Sequence, residues 1–466
     1  MITSLNDATI EAFQADFRGE LIRPGNETYE KARSVFNGMI DRRPALIARP
    51  TGAADVIEAV KLARGSGLPL AVRCGGHSLA GSAVCDEGLV IDLSRMKGVR
   101  VNTAARTARA NAGVLWGEFD RETQVFGLAT PGGRVTTTGL GGFTLGGGYG
   151  WLSPKFGLTC DNLISADVVT ATGQLVTASE RENADLFWGL RGGGGNFGVV
   201  TSYEFQLHPL GPRVVGGLLM HPIDRGQEVA RAYRAYVESA PDELATAIAV
   251  LMAPPAPFVP QHLQGKPVFG IVVLCAGAVE EAEAAVAPLK RLGPPAVDLV
   301  QPMPYTAVQA LLDPTAPWGL HVYSRALHLQ GLSNGAIDTF LEYGAEIAAF
   351  SPWGQVVIFR HGGAVASVPE EATAFSHRGT AYMAHPIAAW EDPADTDRYL
   401  DWVRRFSAAT RPFTTGGVYL NLEADEGEDK VRANFSAPKY AKLAALKAKW
   451  DPQNLFRLNQ NIKPRP

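Results

Sequence analysis

A short apolar run, Leu68-Pro69-Leu70-Ala71-Val72, ends in Arg73-Cys74-Gly75-Gly76-His77-Ser78. Two glycines ahead of a histidine let the backbone approach a ligand with no side chain in the way. A second glycine run spans Gly139 to Gly150, and a third, Gly192-Gly193-Gly194-Gly195-Asn196-Phe197-Gly198, follows. Successive main-chain N–H groups in such turns can bind a pyrophosphate without a lysine. The pattern points to a bulky, phosphate-bearing cofactor held by main chain, with His77 beside it. The competing reading, that the runs are only tight turns, is weakened by finding three of them in one half of the chain.

The elements that must carry these loops read as alternating strand and helix. Ala45–Ala48 is a short apolar strand, and Thr51–Arg64 has Val56, Ile57, Val60 and Ala63 at helical spacing. Gly65 and Gly67 close that helix, and Leu68–Val72 returns as a strand. His77 therefore lies in the loop after a strand, where α/β units place ligands. Strands are also expected at Leu89–Asp92 and Val99–Val101, a helix at Gly113–Gln124, a hairpin over Ala166–Ala178 turning at Thr172-Gly173, and a strand from Val199 to His208. Beyond residue 212 the glycine clusters stop, and alanine-rich helices alternate with strands such as Val268–Leu274 and Leu320–Leu329. Glycine returns at Gly416-Gly417, and an amphipathic helix is expected from Ala437 to Trp450. These shifts suggest a cofactor domain at 1–212 (core about 42–212), a substrate domain at 213–412, and a segment at 413–466 that returns to the first.

The chain has 466 residues, 46% hydrophobic and 19% charged, with net charge −4. That suits a globular enzyme of more than one domain and lacks the basic surplus of a nucleic-acid binder. No apolar run is long enough to span a bilayer. Met1–Asp7 has neither a basic nor an apolar leader segment, so cytoplasm is the expected compartment. Cys74, Cys85, Cys160 and Cys275 form no C-x-x-C pair, and the nine histidines form no H-x-H or H-E-x-x-H. Neither a disulfide framework nor a metal site is expected. A P-loop and the G-x-G-x-x-G dinucleotide fingerprint are both absent.

Taken together, Arg73-x-Gly75-Gly76-His77-Ser78, the Gly139–Gly150 run, Asp161-Asn162-Leu163-x-Ser165-Ala166-Asp167, Asp185–Thr201 and the tail Trp450–Ile462 resemble the berberine bridge enzyme-like flavoproteins of the vanillyl-alcohol oxidase / p-cresol methylhydroxylase superfamily. The motifs occur in order along nearly the whole chain. The resemblance implies an α+β, two-domain FAD-binding fold, with a substrate domain built on an antiparallel sheet covered by helices. In the family the Gly-Gly-His histidine is bonded to the 8α-methyl carbon of FAD, and His77 stands at that place. Many members add a bond from flavin C6 to the cysteine of a Gly-x-Cys-Pro-Thr-Val-Gly segment. The matching stretch here is Gly133-Arg134-Val135-Thr136-Thr137-Thr138-Gly139, so Val135 removes that anchor and single attachment is implied. Cys74 adjoins His77 but reads as a small packed side chain. The residue before Gly139 resembles the valine of oxidases in size rather than the leucine of dehydrogenases, because Thr138 is small.

The resemblance places further FAD contacts at Arg73, Cys74, Gly75, Gly76, Ser78 and Leu79, then at Pro131, Gly132, Thr138, Gly139, Gly141, Gly142 and Gly148, with Val200 against the cofactor and Tyr419, Asn421 and Asn459 closing the pocket. It implies hydride transfer from a substrate carbon to flavin N5 with a base taking a proton, and O2 as the acceptor, giving H2O2. A dehydrogenase with another acceptor and a non-catalytic flavin-binding protein stay open. The family's Tyr-x-Asn-Tyr segment is Tyr419-Leu420-Asn421-Leu422 here, so the tyrosine base of some plant members is missing. The family often places Gln or Glu where His385 stands, above the flavin, which makes His385 the first candidate base, with Tyr419 second. Further candidate catalytic residues on the second domain's sheet are His321 and Tyr323: by period two, His321, Tyr323 and Arg325 share one strand face, and Ala381, Met383 and His385 share another. Trp318, Trp353 and Trp390 read as core, and Glu423–Asp429 as a solvated acidic loop. The expected substrate is an alcohol, sugar, amine or phenolic metabolite, and the expected state is monomer or homodimer, with no nucleic-acid or membrane partner.

Overall fold

The computed structural model describes residues 6–424 and 426–465. Met1–Leu5, which open the segment read above for a leader, lie outside it, as do Asp425 of the acidic run and Pro466. The architecture is α+β. A four-stranded sheet runs in the order Glu20–Ile22, Leu46–Arg49, Leu89–Asp92, Leu70–Arg73, and its last three strands are parallel. The crossover between Leu46–Arg49 and Leu70–Arg73 is the helix Ala53–Ser66, which ends at Gly67 in a left-handed cap (φ 66°) whose N–H bonds Ala63 O. A five-stranded antiparallel sheet follows, ordered Val99–Asn102, Thr107–Asn111, Val199–Gln206, Leu163–Val169, Leu175–Ser179. Its last two strands form the hairpin turning at Thr172-Gly173, as expected from the sequence.

The rest of the chain builds one ten-stranded sheet around Arg213–Pro222, Leu244–Met252, Pro267–Cys275, Gln355–Arg360 and Tyr382–Trp390. Strand alternation gives it two distinct faces. Ile248, Val250, Phe269 and Ile271 pack with Tyr233, Phe340 and Trp402 from the covering helices Gly226–Val237, Asn334–Phe350 and Thr396–Thr410. Ala245, Ala247, Ala249, Val272, Val357, Phe359 and Met383 form the opposite face, towards Tyr149, Trp151 and Tyr419. Alanines at the centre of that face leave room that larger residues would fill.

Two expectations change. The run Leu320–Leu329 is not one strand but two, His321–Ser324 and Leu327–Leu329. Between them the Ala326 N–H donates to Glu423 Oε1 at 2.5 Å instead of to a neighbouring strand. Strand Thr414–Val418 still belongs to the large sheet, pairing with Leu327–Leu329, so the chain leaves that sheet at Tyr419 and not at 413.

The returning tail is fixed by a buried ion pair. Lys447 Nζ donates to Asp451 Oδ2 (2.6 Å), Asn196 O (2.7 Å) and Phe456 O (2.9 Å). Asp451 in turn accepts the Leu455 and Phe456 N–H groups. Both side chains are fully buried. Removing one partner strands a charge, so Lys447→Met is expected to cost about 3–5 kcal/mol. Urea unfolding monitored by tryptophan fluorescence measures it.

Candidate active site

The first two glycine runs lie back to back. A Cβ on Gly75 would sit 2.8 Å from Gly139 Cα, and one on Gly139 would sit 2.9 Å from Gly75 Cα. Neither distance accommodates a carbon, so only glycine permits the crossing. The second run is held from behind: Trp116 N–H donates to Thr138 O, Leu140 N–H to Val114 O, and Thr136 to the Asp313 carboxylate. Gly76 then takes φ 70°, a conformation that favours glycine. Among the described residues no protein acceptor takes the main-chain N–H groups of Gly76, His77, Ser78 or Leu79. All four residues line one cavity of about 820 Å³, within the size range of cofactor sites.

His77 stands at that wall. Its ring stacks on Phe36 with centroids 4.5 Å apart, and Trp318 meets its edge. Nε2 lies 2.8 Å from Thr137 Oγ1. Burial pulls the imidazole down to about 4, so the ring is neutral at physiological pH. Trp318 is thus not core: it is 47% exposed and covers the histidine. Trp390 is buried, stacked on Tyr399.

The third run closes the same cavity. Gly192 and Gly194 N–H groups both donate to Leu145 O, at the end of the short helix Leu140–Leu145. Asn196 bridges Gly193 O to Gln460 O, and Asn459 Nδ2 donates to Gly195 O. Asn459 Oδ1 is buried with no partner, and a Cβ on Gly142 would project into open space. Free N–H donors, an orphan acceptor and bare glycine surface together fit a phosphate-bearing, hydrogen-bonding cofactor such as FAD.

The expected contact residues divide. Cys74, Gly75, Gly76, His77, Ser78 and Leu79 line the cavity, as do Thr138, Gly139, Gly141, Gly142, Val200, Tyr419, Asn421, Asn459 and His385. Cys74 does so as a packed thiol, its Sγ against Val114 O and burial raising it to about 11. Arg73 does not reach the cavity: parallel register sets it beside Asp92, and the two form a buried 2.5 Å ion pair. Pro131, Gly132 and Gly148 stand behind the wall. Pro131 O accepts Thr159 Oγ1, Gly132 packs under the Trp116 ring, and Gly148 N–H donates to Tyr419 Oη. His321 and Tyr323 are on the wrong side of their strand. Tyr323 packs towards the covering helices and donates to the Glu426 carboxylate, His321 lies against Trp390, and Val322 and Ser324 line the cavity instead. Asp161 caps the turn at Leu158, whose N–H donates to its Oδ2, and pairs with the buried Arg378.

Opposite the glycine loops, the cavity wall is Ala247, Ala249, Val272, Val357 and Ile387, with His385 among them. His385 Nε2 has no partner; burial, then the Arg134 charge, takes the ring down to about 3. Tyr419 Oη accepts from Gly148 N, Tyr149 N and Asn421 Nδ2, and burial raises its own proton to about 12. Two residues were not singled out from sequence. Glu423 is buried with Oε2 unpartnered, and burial raises it to about 7. The acidic run it opens reads as solvated in sequence, but at the strand break the Ala326 N–H donates to its Oε1. Arg134 sits over the rings of Phe359 (3.9 Å), Tyr149 (4.7 Å) and Trp151 (4.9 Å), and burial takes it down to about 10. Among the described residues no group of three or more His, Cys, Asp or Glu is placed to hold a metal, and no helix is long and apolar enough to cross a membrane.

A main-chain cofactor cradle joined to an antiparallel substrate sheet defines a two-domain flavin-dependent oxidoreductase, and comparison with known proteins agrees. Residues 44–179 match an FAD binding domain, and residues 418–463 match the berberine and berberine-like family. The chain is 31% identical to an FAD-linked oxidoreductase of Dictyostelium discoideum, covering 98% of this chain and 97% of that one. It is 32% identical to the (R)-6-hydroxynicotine oxidase of Paenarthrobacter nicotinovorans, covering 96% and 97%. The crystal structure of 6-hydroxy-D-nicotine oxidase from Arthrobacter nicotinovorans superimposes with a TM-score of 0.85 at 29% identity, covering 96% of this chain and 98% of that one. The chain belongs to the berberine bridge enzyme-like FAD-linked oxidoreductases.

The crossing of the glycine loops has a direct test. Gly139→Ala forces Gly75 and Cys74 apart and is expected to cost roughly 1–3 kcal/mol, as overpacking does. The purified variant should carry markedly less flavin per chain, read from the visible absorbance against protein content.

Proposed function

We propose that this enzyme is an oxidase carrying FAD on a single covalent bond from His77, and that it oxidises a small organic substrate in the cavity above the glycine loops. The observation that carries the attachment is the state and place of His77. A neutral imidazole has a nitrogen lone pair able to bond carbon, which a protonated ring lacks. Nε2 lies 2.8 Å from Thr137 Oγ1, and in the tautomer that donates there the lone pair is on Nδ1. Val135, also on the cavity wall, offers no thiol for a second bond. When bound, FAD supplies a two-electron acceptor for hydride and passes the electrons on. Small Thr138 on the same wall supports O2 as the final acceptor. The four unpaired thiols suit a reducing compartment such as the cytoplasm.

His385 is the proton acceptor in this reading. It faces the cavity from the sheet, its Nε2 is free, and the ring is unprotonated through the physiological range. Tyr419 keeps its proton and already accepts three hydrogen bonds, so it holds the Gly148–Tyr149 turn in place. Glu423 is the second candidate acceptor because its free Oε2 and its value near 7 match the needs of a general base.

Two measurements follow. In wild-type protein precipitated with acid, the flavin should stay with the pellet, whereas His77→Ala should release it to the supernatant; turnover of a substrate should yield one H2O2 per molecule oxidised. The pH profile separates the bases. A depressed histidine is deprotonated above about 3, so with a non-ionising substrate kcat/KM should stay level from neutral to mildly acidic pH. A carboxylate raised to about 7 becomes protonated as pH falls through that value, so a loss of kcat/KM below neutrality would assign the proton to Glu423.

A further inference from the structure

Among the described residues, Arg134 is a cation with no counter-ion. Among the described residues it forms no ion pair and donates no hydrogen bond to protein, and its Nε is buried and unpartnered. Its charged neighbours explain nothing about its position. The groups around it are the rings of Tyr149, Trp151 and Phe359, with Tyr419, His361 and His385 nearby, and none is a carboxylate. Contrast the buried cations among the described residues: Arg73 pairs with Asp92, Arg378 with Asp161, Lys439 with Glu370, and Lys447 with Asp451. A half-buried guanidinium with its Nε enclosed and no partner is costly, and the cost is offset when a ligand brings the missing charge.

The side chain also faces the right space. Arg134 lines the cavity from the stretch just before the second glycine run, over the ring of Phe359, which neighbours His385. The wall beyond it is apolar: Ala247, Ala249, Val357 and Ile387. Stacked rings fix the planar guanidinium, which suits two-pronged recognition of a carboxylate.

Resting on the oxidase reading above, we propose that the substrate is an apolar or aromatic molecule bearing a carboxylate, and that Arg134 binds this group within the cavity. Arg134 thereby sets specificity and orientation, with the oxidisable carbon held over the glycine-loop side and the anion at the guanidinium. One consequence reaches His385. Part of what keeps that imidazole from taking a proton is the Arg134 charge, so a bound anion makes it the better acceptor only when substrate is in place.

The test uses the flavin-loaded holoenzyme near neutral pH, with benzoate and phenylacetate compared against benzamide and phenylacetamide as probes. Binding is read from perturbation of the visible flavin band. At least one carboxylate should bind more tightly than its amide by about tenfold or more, the strength of a charged hydrogen-bonded contact. Arg134→Met should abolish that preference while leaving amide binding within about twofold, and Arg134→Lys should retain part of it. Should Arg134→Met fail to accumulate, the wild-type preference and its reduction in Arg134→Lys decide alone. No preference in wild type, or a preference that survives Arg134→Met or is undiminished in Arg134→Lys, overturns the assignment. A changed sulfite affinity of the flavin in Arg134→Met, with the carboxylate preference intact, would also overturn it and give Arg134 to the cofactor instead. Loss of the oxidase reading is seen separately, as absence of bound flavin or of H2O2.

Discussion

Two backbones meet at Gly75 and Gly139 with no side chain between them, and the site depends on that meeting. A carbon on either residue would overlap the other's main chain. The contact brings the loop after Leu70–Arg73 against the loop before Leu140–Leu145, two segments from different sheets. It leaves a row of N–H donors facing the cavity and puts His77 beside Thr137. The third run is then held to the second through Leu145 O, and the tail is held to the third through Asn196 and Lys447. Each later element is thus fixed to a seam made possible by missing side chains.

Chemistry within the cavity is governed by burial. His77, His385, Arg134, Tyr419 and Glu423 all shift towards their uncharged forms, and for each the loss of water is the largest cause. A site of this kind makes any charge the substrate carries matter more than it would in water. Arg134 is the group through which that sensitivity is expressed, and His385 feels it.

Much of the cofactor side was legible in the sequence because glycine has few uses. Runs at 139–150 and 192–198 and the Gly-Gly-His loop name backbone positions, and backbone positions survive small errors in element boundaries. Side-chain direction did not survive them. Arg73 belonged to the right loop, but its parallel neighbour Asp92 claimed it. His321 and Tyr323 were correctly placed on one strand face, yet alternation alone does not say which face meets the cavity. Pro131, Gly132 and Gly148 are near neighbours in sequence of residues that line it, one layer further back. Arg134 and Glu423 needed the assembled structure, since an arginine among threonines and a glutamate in an acidic run look solvated until the sheet and the strand break enclose them.

The central claim is that the glycine seam presents His77 to the cofactor as its single anchor. Peptide mapping of the wild-type holoenzyme by mass spectrometry addresses it without any mutation. Trypsin cuts after Arg73 and after Arg95, so the segment Cys74–Arg95 is one peptide containing His77. The account predicts that this peptide carries the mass of FAD, with fragmentation placing it on His77, and that the peptide holding Val135 is unmodified. Flavin recovered free while Cys74–Arg95 runs at its bare mass, or flavin found on any other peptide, would contradict it.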